Sequence, residues 1–155
     1  MRIGFLALIV SALFLGVPAH AADGTVTLKE SENFGKYLAD GDGRPLYLFT
    51  TDTQGKGDSK PASSCEADCL KAWPPYIVKK APEAGEGVNA DLIGVMESEG
   101  SSQVTYNGWP LYYFIKDEGK DAPQGQDKHG FGGEWYLLTA DGEKVHEEGG
   151  EHDQD

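Results

Sequence analysis

The chain contains two cysteines, Cys65 and Cys69, whose spacing limits the chemistry open to them. Residues four apart on a helix lie on one face with Cα atoms about 6 Å apart, a separation that a disulfide accepts. Haem attachment needs Cys-x-x-Cys-His and a thioredoxin-like site needs Cys-x-x-Cys, and neither motif occurs here. Because the chain also begins with an apparent export signal, described below, we predict a disulfide between these two residues.

A pattern of one tyrosine, one phenylalanine and one aspartate occurs twice, as Tyr47, Phe49 and Asp52 and again as Tyr112, Phe114 and Asp117. In a strand, residues two apart share a face, so each tyrosine and phenylalanine should point to the same side. Each aspartate follows at the end of the strand, where a carboxylate accepts N–H bonds from the next turn. The pattern therefore favours buried aromatic pairs, each followed by a turn that its aspartate stabilises.

The alternative for these aromatic residues is a groove that binds a ligand. Three tryptophans would contribute to its walls, namely Trp73, Trp109 and Trp135. An aromatic groove of this kind suits a sugar, a quinone or an apolar chain. Burial of the aromatic pairs distinguishes the two interpretations, because a groove requires them to be exposed.

Catalytic motifs are absent from the sequence, which has no nucleophile elbow, phosphate loop, His-Glu-x-x-His or dinucleotide fingerprint. His129 lies in a loop-like stretch rich in Gly, Asp and Gln. The segment from Asp40 to Gly43 begins like a calcium loop, but its twelfth position is Thr51, where a bidentate glutamate is required. We therefore expect a turn at Asp40, no metal site, no cofactor, no catalytic residue and a protein that is not an enzyme.

An internal repeat organises the chain. Residues 43–52 match residues 108–117 with identical Gly, Pro, Leu, Tyr, Phe and Asp, at an offset of 65 residues. This match predicts two units, about 24–80 and 90–147, joined by a linker or surface loop over 79–89. Stacking the two units would bury an aromatic face that neither unit could bury alone.

Strand and turn signals dominate both units. The dipeptides Asn107-Gly108 and Asp141-Gly142 are typical of hairpin turns. Further strands are expected near residues 25–29, 93–97, 134–140 and 143–146, and one short helix over residues 65–72, capped by Ser64. The predicted fold is mainly β: two pseudo-repeats of small antiparallel β-meanders, packed into one compact domain with one short helix.

The ends of the chain differ from its body. Residues 1–21 have the form of a signal peptide: Arg2, an apolar run over residues 3–17 and the small-x-small site Ala19-His20-Ala21. The apolar run would span about 22 Å as a helix, less than the ~30 Å of a bilayer core, so we expect cleavage and no stable membrane anchor. Residues 22–147 form the predicted domain, and residues 148–155 a disordered acidic tail.

The charge of the chain excludes some partners. It has 26 acidic and 13 basic side chains, a net charge of −13 at pH 7. Binding to nucleic acid requires clustered lysines and arginines, and an anionic membrane surface would repel this chain. We therefore expect no nucleic-acid partner. The predicted signal peptide, not the charge, indicates a periplasmic or extracellular location.

These motifs carry a resemblance to a known family. Each aromatic–acid pattern is preceded by Gly-x-Pro-Leu, and the first is followed by Cys65, Cys69 and Trp73-Pro74-Pro75. In these features the chain resembles a family of bacterial secreted-repeat proteins, predicted lipoproteins with a Tyr-x-aromatic-x-x-Asp motif, although it lacks a lipobox cysteine. The resemblance covers nearly the whole mature chain and implies a cell-envelope protein of a family whose molecular function is largely unknown.

We expect one of two functions for this protein. The first is non-enzymatic, by binding to or structural association with an envelope partner. The second is periplasmic binding of a small apolar molecule, a hydrocarbon or a lipid, in an aromatic-lined groove.

Overall fold

The computed structural model describes residues 24–118, 120 and 122–146. In chain order its elements are β1 (Thr25–Ser31), β2 (Gly35–Asp40), β3 (Tyr47–Phe49), α1 (Asp68–Ala72), β4 (Ile77–Val78), β5 (Glu83–Ala84), β6 (Ile93–Ser98), β7 (Ser101–Tyr106), β8 (Trp109–Pro110), β9 (Lys128–Gly130) and β10 (Gly133–Leu137). Short 3-10 turns cover Ala90–Leu92 and Ile115–Asp117. The predicted mainly β fold with one short helix is confirmed.

The strands form three small sheets. The first has the order β2-β1-β5, in which β1 and β2 form an antiparallel hairpin and β5 lies parallel to β1. The second has the order β3-β10-β9. The third has the order β4-β7-β6, and β8 also pairs with β7. Strand β5 lies inside the segment expected to be a linker, so part of that segment belongs to a sheet.

Each repeat places its last strand on the other repeat. Ahead of β4, the N–H of Tyr76 donates to the carbonyl of Leu111 at 2.9 Å, and its own carbonyl accepts the N–H of Val104 at 2.9 Å. In the opposite direction, the carbonyl of Leu138, just after β10, accepts the N–H of Leu38 at 2.9 Å. The two repeats are therefore hydrogen-bonded into one unit by exchanged strands, an arrangement that strand periodicity does not predict.

A local two-fold relation connects the repeats at the motif itself. The N–H of Tyr47 donates to the carbonyl of Tyr112 at 2.9 Å, and the N–H of Tyr112 donates to the carbonyl of Tyr47 at 3.0 Å. The two copies of the motif thus face each other as an antiparallel pair.

The two faces of each motif strand serve two different cores. One face contributes to a leucine-rich core made of Val26, Leu38, Leu46, Leu48, Tyr76, Val78, Val104, Tyr106, Leu111, Tyr113 and Leu138. The other contributes to an aromatic core made of Tyr37, Tyr47, Phe49, Cys65, Cys69, Trp73, Tyr112, Phe114, Trp135, Leu137 and Val145. Because side chains alternate along a strand, burial on both sides explains the unbroken apolar runs at 46–49 and 111–114.

The turns agree with their sequence signals. Asn107 and Gly108 both have positive φ, 50° and 78°, as a two-residue hairpin loop requires. The corresponding turn of the first repeat is one residue longer, because Ala39 bridges to Pro45 whereas Thr105 pairs with Pro110. The side chain of Asp40 accepts hydrogen bonds from this longer turn, as described below.

Four local predictions are wrong. Helix α1 begins at Asp68, three residues later than expected, and Ser64 does not cap it. Instead Ser64 donates its N–H and its hydroxyl to Asp52 Oδ1, at 2.7 and 2.9 Å. The side chain that was expected to cap the helix is therefore bonded to Asp52. Strand β10 ends at Leu137 rather than at 140, and the strand expected over 143–146 is reduced to a single bridge between Leu138 and Lys144.

The predicted signal peptide at residues 1–21 and the acidic tail at 148–155 lie outside the described residues. Among the residues that are described, no helix is long and apolar enough to cross a membrane.

Candidate functional site

The repeated tyrosines and aspartates pair across the two repeats. The hydroxyl of Tyr47 donates to Asp117 Oδ2 at 2.8 Å, and the hydroxyl of Tyr112 donates to Asp52 Oδ2 at 2.7 Å. Both tyrosines are fully buried. Each motif therefore supplies a tyrosine to the other copy and receives one in return.

The second oxygen of each aspartate holds a loop. Asp52 Oδ1 accepts the N–H of Ser64 at 2.7 Å, and Asp117 Oδ1 accepts the N–H of Gln124 at 2.6 Å. These donors lie 12 and 7 residues along the chain. The expectation that the donors would lie in the adjoining turn is therefore wrong, because the carboxylates reach longer loops that fold back over the strand ends.

Burial governs the titration of these pairs. Desolvation raises the pKa of Asp52 and of Asp117 above the ordinary value, although the N–H and hydroxyl donors partly oppose this rise. Burial, followed by the charge of the paired carboxylate, raises the pKa of Tyr47 and of Tyr112. The tyrosines therefore remain neutral donors at neutral pH.

Four aromatic rings form a continuous stack between the pairs. In order they are Phe49, Trp135, Trp73 and Phe114, with centroid separations of 4.1, 3.9 and 4.0 Å. The two tryptophan planes are parallel, with an angle of 0° between them. The edge of Tyr47 meets Trp73 and the edge of Tyr112 meets Trp135, each at 5.3 Å. Rings from the two repeats alternate along the stack, so it joins the repeats as well as filling the core.

The three tryptophans do not share a groove. Trp73 and Trp135 are 3% and 0% exposed because they stack on each other and on the motif phenylalanines. Trp109 is half-buried and packs against the leucine-rich core instead. The expected groove lined by all three is therefore not formed, because stacking buries more apolar area than an open groove would.

The disulfide between Cys65 and Cys69 is confirmed, with Cα atoms 5.3 Å apart. Cys69 lies in α1 and Cys65 precedes the helix, so the spacing was informative although the helix is shorter than predicted. The bridge borders the loop that contacts the first aspartate, since Ser63 Oγ lies 2.7 Å from the hydroxyl of Tyr112. Cys65 directly follows Ser64, whose N–H and hydroxyl bond to Asp52, so the bridge adjoins that loop.

A third tyrosine–aspartate pair was not predicted. Asp40 Oδ2 accepts the hydroxyl of Tyr113 at 2.9 Å, and Asp40 Oδ1 accepts the N–H groups of Asp42 and Arg44 at 3.0 and 2.9 Å. The Arg44 guanidinium lies 3.9 Å from the centroid of the Tyr113 ring. The turn at Asp40 is as predicted, but nothing in the sequence indicated that its carboxylate would bond a residue 73 positions away.

The remaining polar candidates lie at the surface. His129 Nδ1 is 3.5 Å from Glu134 Oε1 on the hairpin of β9 and β10. Within the part of the chain that the structure describes, no group of three or more His, Cys, Asp or Glu side chains is placed to hold a metal ion. The surface has hollows of about 590 Å³ beside the disulfide, about 510 Å³ at His129 and about 240 Å³ at Trp109.

A family model described as a secreted repeat of unknown function matches the chain twice, over residues 31–76 and 95–139. The chain belongs to this secreted-repeat family. The second matched segment includes β10, and the first ends at Tyr76, directly before β4. Searches of the curated proteins and of the solved structures found no match. Membership in the family places the chain among secreted proteins.

Proposed function

We propose that this secreted-repeat chain is a non-enzymatic cell-envelope protein, periplasmic or extracellular, that acts by binding to or associating with an envelope partner. The observation that supports this role is the internal use of the repeated motif. Its tyrosine hydroxyls and aspartate carboxylates satisfy one another, and its phenylalanines terminate the aromatic stack. The motif therefore builds a rigid scaffold, and we expect the partner to bind to the surface residues around it.

The test is in-cell crosslinking of the full chain, tagged at its C-terminus, followed by mass spectrometry of the captured complexes. We expect recurrent crosslinks to one envelope component from lysines on a single face. A Tyr47→Phe variant, which retains the ring, provides a matched control for the scaffold and should preserve the crosslinks. A purified chain that forms no complex and converts a substrate would contradict the proposal.

A second candidate is the binding of a small apolar molecule, and one observation favours it. The hollow of about 590 Å³ beside the disulfide has Leu70, Pro75 and Ile77 on its wall. Its volume falls within the ~300–1,000 Å³ of typical ligand pockets. Glu66 and Glu99 also line it, so a bound molecule would need a polar end. Native mass spectrometry of the chain purified without detergent would detect a retained lipid, and Ile77→Asp should abolish its retention.

A further inference from the structure

The third tryptophan lies in a separate hollow, away from the tyrosine–aspartate pairs. This hollow has a volume of about 240 Å³ and is lined by Gln54, Lys56, Trp109, Gly142, Glu143, Lys144 and His146. It combines one flat aromatic ring with an amide, a carboxylate, two amines and an imidazole. We call it the Trp109 hollow.

The walls of the Trp109 hollow are fixed by contacts between three turns. The N–H of Gly55 donates to the carbonyl of Gly108 at 2.9 Å, and Gln54 Nε2 donates to the carbonyl of Asn107 at 2.7 Å. Asn107 Nδ2 donates to the carbonyl of Gly142 at 3.3 Å. A Cβ on Gly108 would overlap the carbonyl oxygen of Gly55, so glycine is required for these turns to meet. The backbone of the three turns that line the hollow is thus held in place by hydrogen bonds.

The two repeats differ at the position that lines this hollow. In the first repeat, the residue between the motif Gly and Pro is Arg44, whose guanidinium covers the Tyr113 ring at 3.9 Å. In the second repeat it is Trp109, which is half-buried and lines the hollow. At this position of the repeat, therefore, the second copy presents an aromatic ring to a hollow and the first copy presents a guanidinium to a tyrosine ring.

We propose that the Trp109 hollow binds one pyranose ring of a saccharide; this inference rests on the binding role proposed above. The indole offers an apolar surface to the C–H face of the ring. Sugar hydroxyls both donate and accept hydrogen bonds, which matches the ammonium donor of Lys56 and the carboxylate acceptor of Glu143. The volume lies below the ~300 Å³ where drug-sized pockets begin, so it suits a single ring.

Other ligand classes fit this hollow less well. A hydrocarbon would desolvate the charges of Lys56, Glu143 and Lys144 without hydrogen bonds in return, which is unfavourable. A nucleic acid would be repelled by the net charge of −13. A polyhydroxylated ring satisfies the polar groups and covers the aromatic one.

The test is an NMR titration of the full ¹⁵N-labelled chain with chitotetraose, cellotetraose and maltotetraose, each in the millimolar range. The indole N–H signals of the three tryptophans report separately, and the buried Trp73 and Trp135 serve as internal references. We expect one saccharide to shift the Trp109 signal and to leave the other two unchanged. The absence of a Trp109 shift with all three probes would overturn the proposal.

Two variants and a control complete the experiment. Trp109→Ala should weaken binding at least tenfold, as measured by calorimetry. Trp109 also packs on the leucine-rich core, so its replacement could disturb the fold. The exposed Lys56→Ala variant therefore provides a second measurement, and its affinity for the saccharide should fall threefold or more. Lys79→Ala changes an exposed lysine that does not line the hollow and should bind normally.

An unchanged affinity for the saccharide in both Trp109→Ala and Lys56→Ala would refute the assignment of binding to the Trp109 hollow. Envelope crosslinks that persist in a chain that binds none of the sugars would refute the saccharide and leave the association role standing. Loss of the crosslinks with sugar binding retained would refute the association role instead.

Discussion

At the scale of single residues, the tyrosine–aspartate exchange is the feature with the clearest energetic consequence. Each hydroxyl is buried and donates to a carboxylate of the other repeat. Hydrogen bonds to charged groups contribute about 1.5–3 kcal/mol, and a buried carboxylate that loses its donor also bears an uncompensated desolvation cost. The exchanged pairs should therefore couple energetically across the repeats.

Double-mutant cycles measure this coupling. Tyr47→Phe combined with Asp117→Asn should give an interaction energy of about 0.5–3 kcal/mol in urea denaturation, as contacting residues do. The matched control pairs Tyr47→Phe with Asp52→Asn, which belong to the same motif but share no hydrogen bond. Equal coupling in both cycles would show that the pairing does not cross the repeats.

The pH dependence of stability follows from the buried carboxylates. Burial raises the pKa of Asp52 and Asp117 above the ordinary aspartate value of 3.8. Between 3.8 and the raised pKa, the folded chain holds more protons than the unfolded chain, so stability falls as pH rises through this window. We expect the free energy of unfolding to increase when the pH is lowered from 7 toward 4.

The combined Asp52→Asn and Asp117→Asn variant separates this effect from the general acidity of the chain. Its increase in stability on acidification should be smaller than that of the parent. Asp58→Asn removes an exposed carboxylate and should follow the parent profile. A profile for the combined variant that is identical to the parent's would refute the assignment to these two groups.

The motif phenylalanines give the simplest test of burial. Phe49 and Phe114 are 0% and 6% exposed, so replacing either with alanine should cost about 3–5 kcal/mol. That is a large share of a typical total of ~5–15 kcal/mol, and the melting temperature should fall sharply. Phe131, which is 51% exposed, provides the matched control, and Phe131→Ala should melt within about a degree of the parent. Unchanged melting of both core variants would refute the structural role of the motif.

At the scale of elements, sequence signals were reliable where the cause was local. The Asn107-Gly108 turn and the alternation of residues 111–114 are set by neighbouring residues, and both were predicted. The start of α1 was missed because Ser64 is held by Asp52, which is 12 residues away. The partners of Tyr47 and Asp40 were missed for the same reason, since each lies 70 or more residues away.

The disulfide stabilises one element, the short segment that leads into helix α1. It closes a loop with a sequence separation of only 4, so the loop-entropy model gives a stabilisation on the order of 2 kcal/mol. The paired Cys65→Ser and Cys69→Ser variant should remain folded with a lower melting temperature. Alkylation of the native parent without reductant should label neither cysteine, and two labelled thiols would contradict the bridge.

At the scale of the whole molecule, the exchanged strands make the repeats interdependent. A fragment of residues 24–86 contains the first hairpin but lacks β10, which pairs with its β3. Cutting between the exposed Glu86 and Gly87 should therefore yield two halves that do not fold alone. Mixed in equal amounts, residues 24–86 and 87–146 should recover the near-ultraviolet circular dichroism of the intact chain. Cooperative unfolding of either half alone, as a monomer, would contradict this interdependence.

The exchange also bears on how the protein tolerates dilution. Two separate copies of a repeat that complete each other's sheets would come apart as their concentration falls, because dimer stability depends on concentration. Joining the copies in one chain turns the encounter into an intramolecular event, with an effective concentration in the millimolar range for a short linker. A secreted protein of this construction then keeps both halves together at any bulk concentration. The second repeat thus acts as a permanently tethered partner for the first.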